Sequence, residues 1–377
     1  MDMSEGLCLQ EKMCFSTNYL AVTSASVASK EEYCTALCHN KSNDKIAVSL
    51  SDNSVAVLTM DTLQNVSEIE KQAKSLTGIK YSPTDNNLLW TSSLDGTLKI
   101  WDIRTGQCEK ILETISEDER SCAKPLTSFD VSLNERIACA GTELIESEVF
   151  LLFWDIRNSK SLGGYSQSHS DDITQVKFHP VTPDSLASSS TDGLINVFDV
   201  SQKEEDDALM YSLNANVTVD KLTWLKGNGK YERIGAITDI HSLQFWDIKE
   251  ASPLHSFSRN DVTESMKCKS SEESYIVSIH TLEESDNPII LVGSGMDASD
   301  CLGTLKLHLS TGLLQPEASL QSKQEQRLTR AALYDGKTNT FITAGECGVV
   351  RLWKPDDSSV TRKEMVKSAK SYRKKPY

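Results

Sequence analysis

The sequence predicts an all-β fold, a propeller of seven four-stranded antiparallel sheets, because one strand pattern recurs along the chain. Residues 169–200 hold a complete unit in which three short apolar runs are joined by turns. The turn Asp192-Gly193 between two of these runs is a strong hairpin signal. Apolar residues stand at neighbouring as well as alternate positions, so each sheet needs cover on both faces. Further copies of the unit must supply that cover.

The ending of this unit, an aromatic residue before a polar one, marks the other units. Residues 94–102 repeat the Asp-Gly turn, the alternating strand and the ending. The marker or its substitute stands at positions 60, 101, 154, 198, 246, 309 and 353. The shorter steps match the roughly 40 to 45 residues typical of a four-stranded propeller blade, and the longer ones place insertions in turns. The seven blades are expected at residues 33–61, 79–102, 127–155, 169–200, 219–247, 275–310 and 328–354.

Three of the endings carry a family resemblance. Trp101-Asp102, Trp154-Asp155 and Trp246-Asp247 resemble the dipeptide that names the WD-repeat family, and the likeness covers residues 15–357. It implies a seven-bladed WD-repeat β-propeller in which an N-terminal strand completes the sheet of the last blade. Residues near 20–27 are expected in that role, since a closed ring leaves no bare sheet edge. A disordered leader is the alternative for this stretch.

The predicted domain organisation follows from these limits. We expect a leader over residues 1–12, the propeller over residues 13–357 and a basic tail over residues 358–377. The tail is polar and too poor in apolar residues to pack, which predicts disorder.

The charge of the chain indicates which partners suit it. The net charge is −15, and residues 361–377 hold seven Lys and Arg against one Glu, which leaves −21 for residues 1–360. Nucleic-acid binding needs a basic stripe, so a body this acidic favours proteins with basic segments instead. The tail residues Arg373, Lys374 and Lys375 are the exception, because they suit nuclear entry or RNA contact. A plain solvated tail is the alternative.

Cysteine usage and hydropathy predict an intracellular chain without a metal. The ten cysteines have no repeated spacing, which predicts reduced thiols. Cys34, Cys38 and His39 are close in sequence but lack a second pair of ligands, so ordinary packing is favoured over zinc. A basic segment followed by an apolar run is missing at the start, and no stretch approaches 18 apolar residues. We expect a cytoplasmic or nuclear protein that is not secreted, binds no cofactor and has no membrane partner.

A candidate hydrolytic triad, His169, Ser188 and Asp192, is better explained by structure. The family resemblance implies a hydrogen-bonded network within a blade, formed by such a His, Ser and Asp together with a Trp. Buried polar groups need these partners. Here Phe198 stands in the position of the Trp, so the indole donor is absent from this blade. No phosphate loop, HExxH or GxSxG pattern occurs in a supporting context, which predicts a protein that is not an enzyme and has no small-molecule substrate.

Two consecutive blades carry a motif with a functional resemblance. Trp101, Asp102 and Arg104 in one blade, and Trp154, Asp155 and Arg157 in the next, resemble the WDxR signature of receptors that dock on the propeller adaptor of the cullin-4 ubiquitin ligase. The arginine offers a planar set of donors suited to a bidentate contact between proteins. The alternative is an arginine paired with a nearby carboxylate for structural reasons.

Three functions follow as hypotheses. The leading one is a non-enzymatic protein-interaction scaffold that uses loops and two acidic connections, residues 113–122 and 201–209, to hold other proteins. For these connections the alternative is plain solvation. The second is a substrate receptor for the cullin-4 ligase. The third is a nuclear RNA or ribosome-assembly factor that uses the basic tail.

Overall fold

The computed structural model describes residues 15–29, 31–72, 74–114, 124–266, 274–294, 301–322 and 327–356. These residues form 28 strands and two short helices. The expectation of an all-β propeller-like fold built from four-stranded antiparallel sheets is confirmed. Among the described residues, no helix is long and apolar enough to cross a membrane.

The first strand, β1, spans Thr17–Ser26. Sheet 1 contains β2 to β5, at Cys34–His39, Lys45–Leu50, Val55–Thr59 and Asn65–Ile69. Sheet 2 contains β6 to β9, at Leu76–Tyr81, Leu88–Ser93, Thr97–Asp102 and Gln107–Glu113. Sheet 3 contains β10 to β13, at Leu126–Val131, Ile137–Thr142, Leu151–Asp155 and Lys160–Tyr165.

The remaining strands and both helices follow in chain order. Sheet 4 contains β14 to β17, at Ile173–Phe178, Ser185–Ser190, Leu194–Asp199 and Leu209–Asn214, with helix α1 at Glu205–Ala208 before its last strand. Sheet 5 contains β18 to β21, at Val219–Gly227, Lys230–Thr238, Leu243–Asp247 and Ser252–Phe257, and helix α2 follows at Arg259–Met266. The last strands are β22 to β28, at Ser274–His280, Ile289–Ser294, Cys301–His308, Leu313–Gln321, Thr329–Asp335, Thr340–Gly345 and Val349–Pro355. A single turn of 3-10 helix, Glu346–Gly348, separates β27 from β28.

An eight-stranded sheet stands where two separate four-stranded sheets were expected. Its order is β22-β23-β24-β25-β1-β28-β27-β26. Strand β1 pairs antiparallel with β28, with Tyr19 opposite Pro355. It also pairs parallel with β25, with Thr17 opposite Ala318 and Leu20 opposite Gln321. The N-terminal strand therefore lies beside β28, as expected, and in addition joins the β22–β25 part to the β26–β28 part.

The sheets are arranged in a closed circle. The first strands β2, β6, β10, β14, β18, β22 and β26 each contact the next, and β26 contacts β2. The first turns of neighbouring sheets also touch. The Ser42 backbone N–H donates to Asn86 Oδ1 at 3.2 Å, and Asn43 Nδ2 donates to Asp335 Oδ1 at 3.2 Å, which links the first and last parts of the circle.

The hydrophobic core lies between the sheets rather than within them. One cluster joins Ala187 and Val197 of sheet 4 to Leu222 and Trp224 of sheet 5. Another joins Ile46 of sheet 1 to residues of β27 and β28. The other clusters repeat this arrangement around the circle. Both faces of each sheet are thus covered by its neighbours, as the apolar runs predict.

The Asp-Gly turns explain why the hairpins form where they do. Gly96 and Gly193 both have φ of +82°, a conformation that glycine adopts without steric cost. The preceding aspartates fix the turn: Asp95 Oδ1 accepts the Thr97 N–H at 3.0 Å, and Asp192 Oδ1 accepts the Leu194 N–H at 2.8 Å. Glycine for the backbone and aspartate for its hydrogen bond therefore specify the same local geometry.

A substitution at Tyr19 tests how far the circle depends on β1. The Tyr19 ring is buried and packs edge-on against Phe341 at a centroid distance of 5.2 Å. We expect Tyr19→Ala to lower the free energy of unfolding by about 3 to 5 kcal/mol, the range for truncating a large buried aromatic side chain. Urea unfolding followed by tryptophan fluorescence measures the loss.

Val22→Ala is the matched control, because Val22 lies in the same strand at an irregularity in the pairing and its residue is 56% exposed. Its effect should stay within about 0.5 kcal/mol. Equal losses for the two variants would show that β1 does not stabilise the circle through Tyr19.

Candidate functional site

Four sheets end their third strand with the same turn. Asp102, Asp155, Asp199 and Asp247 each accept the backbone N–H of the residue two positions on, at 2.8, 3.0, 3.0 and 3.1 Å. This is an Asx turn, which fixes the connection to the outer strand. Because antiparallel strands alternate in direction, the first and third turns of a sheet lie at the same end. We call that end of the sheets the WD face; the Asp-Gly turns lie at the opposite end.

The two predicted docking arginines lie on the WD face and contact their own aspartates. Arg104 Nε donates to Asp102 Oδ1 at 3.0 Å and its Nη2 donates to Oδ2 at 2.6 Å. Arg157 contacts Asp155 in the same way, at 3.1 and 2.8 Å. The hydrogen bonds from Arg157 lower the pKa of Asp155 to about 2, and those from Arg104 lower the pKa of Asp102. The arginine side chains stay 65% and 60% exposed, so each guanidinium is held in place while part of it faces solvent.

The tryptophans of the same motifs point away from this surface. Trp101 Nε1 donates to Thr91 Oγ1 at 3.0 Å, and the buried Trp154 Nε1 donates to the Glu113 carbonyl at 3.1 Å. The six predicted residues therefore divide into two indoles that stabilise the sheets and two Arg–Asp pairs in which only the arginines face solvent.

The structure brings His169, Ser188 and Asp192 together inside sheet 4. His169 Nδ1–H donates to Asp192 Oδ2 at 3.1 Å, and Ser188 Oγ–H donates to His169 Nε2 at 2.7 Å. Burial raises the pKa of Asp192, but the hydrogen bonds from His169, Ser170 and Leu194 outweigh that effect and lower it overall. Ser188 is fully buried in the middle of β15, where a substrate carbonyl has no access. The arrangement satisfies buried polar groups within one sheet.

The tryptophan half of this network occurs in other sheets. Trp101 Nε1 donates to Thr91 Oγ1, and Trp353 Nε1 donates to Thr343 Oγ1 at 2.9 Å. The two tryptophans occupy the position of Phe198 in sheet 4, and the two threonines occupy that of Ser188. Sequence reasoning missed Asn196, whose Nδ2 donates to the Ser168 carbonyl at 2.7 Å and lies 3.3 Å from His169 Nε2. A lone amide within the apolar run LINVF was the available signal.

The cysteine cluster does not come together as a metal site. Cys34 packs between sheet 1 and strands β27 and β28, whereas Cys38 packs toward sheet 2. An irregular pairing between Cys34 and Ala36 turns the two thiols to different sides of β2. Burial raises the pKa of both thiols to about 12. Among the described ranges, no group of three or more His, Cys, Asp and Glu side chains is placed to hold a metal ion.

A groove of about 440 Å³ opens on the WD face between sheets 4 and 5. Its walls are mostly apolar and aromatic, with Trp224 and Tyr231 on one side and Met210 and Tyr211 on the other. Met210 is 53% exposed and adds apolar surface to this wall. Sequence reasoning missed the groove, although an aromatic residue on each side of the turn 226–230 was a signal.

The groove is rigid at one wall and acidic at its rim. His179 Nε2–H donates to the Tyr231 carbonyl at 2.9 Å, its Nδ1 accepts the Thr182 N–H at 2.8 Å, and its ring packs edge-on against Trp224 at 4.7 Å. The rim carries Asp184, Asp199, Glu232 and Lys249, and Lys249 is paired with Glu232 at 2.8 Å. The carboxylates thus outnumber the ammonium group by three to one.

The acidic run 201–209 forms part of the fold. Glu205 lies in helix α1, and its carboxylate accepts the backbone N–H groups of Ser166 and Ser168, both at 2.7 Å. It therefore ties sheet 4 to the segment that follows sheet 3. The other acidic run lies largely outside the described residues, as do Arg373, Lys374 and Lys375.

The chain is similar to known proteins over most of its length. A family model described as nucleolar protein 10-like, N-terminal domain, matches residues 30–231, which is more than half of the 377 residues. The matched region begins before β2 and ends in β19, so it covers sheets 1 to 4 and the start of sheet 5.

Three relatives extend the likeness. An uncharacterized WD repeat-containing protein of Schizosaccharomyces pombe is 24% identical over 344 residues, covering 89% of this chain and 100% of its own. The WD repeat-containing protein 89 homolog of Dictyostelium discoideum is 28% identical over 300 residues, covering 78% and 74%. The WD repeat-containing protein GTS1 of Arabidopsis thaliana is 31% identical over 211 residues, covering 55% and 51%.

The resemblance to the WD-repeat family is confirmed by these relatives. The chain is also similar to the WD repeat-containing protein 89 homolog in particular.

The buried network of sheet 4 predicts a pH-dependent stability. Asp192→Asn should lower the free energy of unfolding by about 1 to 3 kcal/mol at pH 7, because it weakens hydrogen bonds to a buried charged group. The folded pKa of Asp192 is below its ordinary value. The stabilisation is therefore fully present above the unfolded pKa of about 3.9 and is lost as the pH falls through the folded pKa. Urea unfolding at pH 7, 5 and 3 should show the difference from wild type shrinking with acid.

Asp206→Asn, at an exposed position of α1, is the control for loss of a carboxylate and should change stability little at any of these pH values. A deficit for Asp192→Asn that stays constant from pH 7 to 3 would contradict the network's dependence on the charge.

Proposed function

The chain belongs to the family described as nucleolar protein 10-like, N-terminal domain, and on that premise we propose that it is a non-enzymatic WD-repeat scaffold that holds other proteins on its WD face. We further propose seven blades, a number that requires the eight-stranded sheet to be divided at β1 into two four-stranded halves. The proposed limits of the propeller are residues 13 and 357, with a leader before it and a basic tail after it.

The groove between sheets 4 and 5 is the observation that carries this proposal. Interface hot spots are typically aromatic residues in a pocket with a polar rim. Trp224, Tyr231 and the exposed Met210 supply the apolar lining, and Asp184 and Asp199 supply the rim. An acidic rim on an acidic protein favours a basic ligand.

The proposed occupant is a segment of a partner protein that carries one bulky apolar side chain flanked by Lys or Arg. The apolar side chain would fill the groove beside Trp224 and Tyr231, while the basic residues pair with Asp184 and Asp199. The His179 contacts with Tyr231 and Thr182 keep that wall in place before binding, which lowers the entropic cost of association.

The groove substitution Met210→Glu tests the scaffold function. Affinity purification of the full chain, with partners identified by mass spectrometry, should recover a reproducible set of proteins. We expect Met210→Glu to lower their recovery at least about tenfold, because a charge would be buried against the apolar anchor. Leu162→Glu is the matched control, an equally exposed apolar residue on the outer strand β13. Equal recovery with both variants would contradict the groove as the docking site.

A second candidate function is docking on the cullin-4 ligase adaptor. The observation in its favour is that Arg104 and Arg157 occupy equivalent turns on neighbouring sheets of one face and are both exposed. Each guanidinium is oriented by its own Asp, so a partner carboxylate or carbonyl would meet a fixed donor. The same pairing also supports the purely structural role, so experiment has to separate the two.

The double variant Arg104→Ala, Arg157→Ala tests that docking. If the arginines bind the adaptor, purified adaptor should be captured by wild type and at least about tenfold less by the double variant. Arg136→Ala is the control, an exposed arginine on the first turn of sheet 3 and therefore on the same face. Capture by neither wild type nor variants, or equal capture by all of them, would end this candidate.

The family description favours the nucleus, and the nucleolus within it, over the cytoplasm as the compartment. A nuclear RNA or ribosome-assembly role is the third candidate, supported by that description and by the basic composition of residues 361–377. The partner set recovered in the Met210→Glu experiment separates this role from the others, since assembly factors would co-purify with ribosomal proteins.

A further inference from the structure

A group of charged side chains lies on the first strands of the sheets, which face the centre of the circle, and most of them stand near the strand ends that lead to the WD face. The first strands of five successive sheets or sheet parts contribute to it: Lys80 from β6, Asp130 from β10, Lys177 from β14, Lys221 from β18 and His280 from β22. Lys177 interacts electrostatically with each of the other four groups, so the five lie close together at the centre of the circle, which we call the central channel.

Two of the lysines have partners on the neighbouring sheet. Lys80 forms an ion pair with Asp130, and its Nζ donates to the Val131 carbonyl at 3.1 Å. Lys221 Nζ donates to the Val277 carbonyl at 3.2 Å. These contacts hold the two ammonium groups at either side of β14.

Asp130 is already occupied by other donors. Its Oδ2 accepts the Phe178 backbone N–H at 2.7 Å, and its Oδ1 accepts the Val131 N–H at 2.9 Å as well as the Lys80 ammonium. It neutralises one lysine and also bridges sheet 3 to sheet 4.

Lys177 is the charged group for which the described residues provide no partner. Its Nζ makes neither a hydrogen bond nor an ion pair with any of them. Burial lowers the pKa of Lys177, Asp130 opposes that change, and the Lys80 and Lys221 charges lower it further. The side chain nevertheless keeps partial solvent exposure, as expected for a residue that lines a narrow water-accessible channel.

The channel carries positive charge inside an acidic protein. Burial and Lys177 lower the pKa of His280 to about 4, so this imidazole is neutral at pH 7. Three lysines against one carboxylate leave a local charge of +2, whereas the chain as a whole has −15. Like charges brought together in a partly desolvated site repel one another strongly, unless an anion lies between them.

From this geometry we propose that the central channel is a binding site for a small phosphate-bearing anion, held by Lys177 with Lys80 and Lys221 on either side. Lysine binds phosphate as a point charge with three donors, and ammonium groups arriving from different strands suit a tetrahedral anion. The carbonyl contacts of Lys80 and Lys221 fix their positions before the anion enters. None of the three lysines lines the groove on the WD face, so this proposal holds or fails separately from the scaffold function.

Calorimetric titration of the full chain with pyrophosphate, at constant ionic strength, tests the proposal. We expect one saturable site in the wild type and in Lys160→Met, a control that removes an exposed lysine from β13. Lys177→Met should raise Kd at least about tenfold, since it removes a charge-assisted contact. Lys177→Arg should retain binding, and Lys221→Met should weaken it.

The folded state of each variant is checked by circular dichroism. Without pyrophosphate, Lys177→Met should melt at or above the wild-type temperature, because an uncompensated charge has left the channel. Absence of saturable binding to the wild type would overturn the proposal. Equal binding by wild type, Lys177→Met and Lys221→Met would also overturn it, because the bound pyrophosphate would then be an adventitious ion only. If Lys177→Met fails to fold, the Lys221→Met result decides between these outcomes.

Discussion

The fold depends on one constraint, that no sheet buries its own apolar faces. Clusters such as the one joining Val197 to Trp224 lie between two sheets, so a sheet separated from its neighbours would expose both sides. A linear row of sheets would leave its two end faces bare. The circle removes that exposure, and β1 secures it by pairing with the outer strands of two adjacent sheet parts.

The same constraint decides where function can reside. Packing occupies the faces of the sheets, and the polar groups that remain inside, such as His169 and Asp192, are used to satisfy one another. Partners are left with the ends of the sheets, the outer strands and the central channel. On the WD face the aspartates of the Asx turns fix the backbone of the turns. The exposed arginines and the groove beside Trp224 lie on the same face.

Whether the sequence predicted a feature of the fold depended on how far apart in the chain the interacting residues lie. Asp-Gly turns and alternating strands are local, so the hairpins at Gly96 and Gly193 were predictable. The network of His169 was expected because the family resemblance implied it. The parallel pairing of β1 with β25 joins residues about 300 positions apart over four residue pairs and has no local signature. The joined sheet was therefore missed. In the sequence Trp224 and Lys177 look like ordinary strand residues, because only the closed circle shows which side chains of other sheets lie near them.

The pairing of β1 also bears on how the chain is made. Its partners β25 and β28 lie at the other end of the sequence, so the strand is synthesised among the first segments and its hydrogen-bonding edges wait for the last. At roughly 5 to 20 residues per second, translation of the intervening residues takes on the order of 15 to 65 seconds. During that interval the hydrogen-bonding groups of β1 lack the partners that they have in the finished fold, so the ring closes only after the final strand emerges.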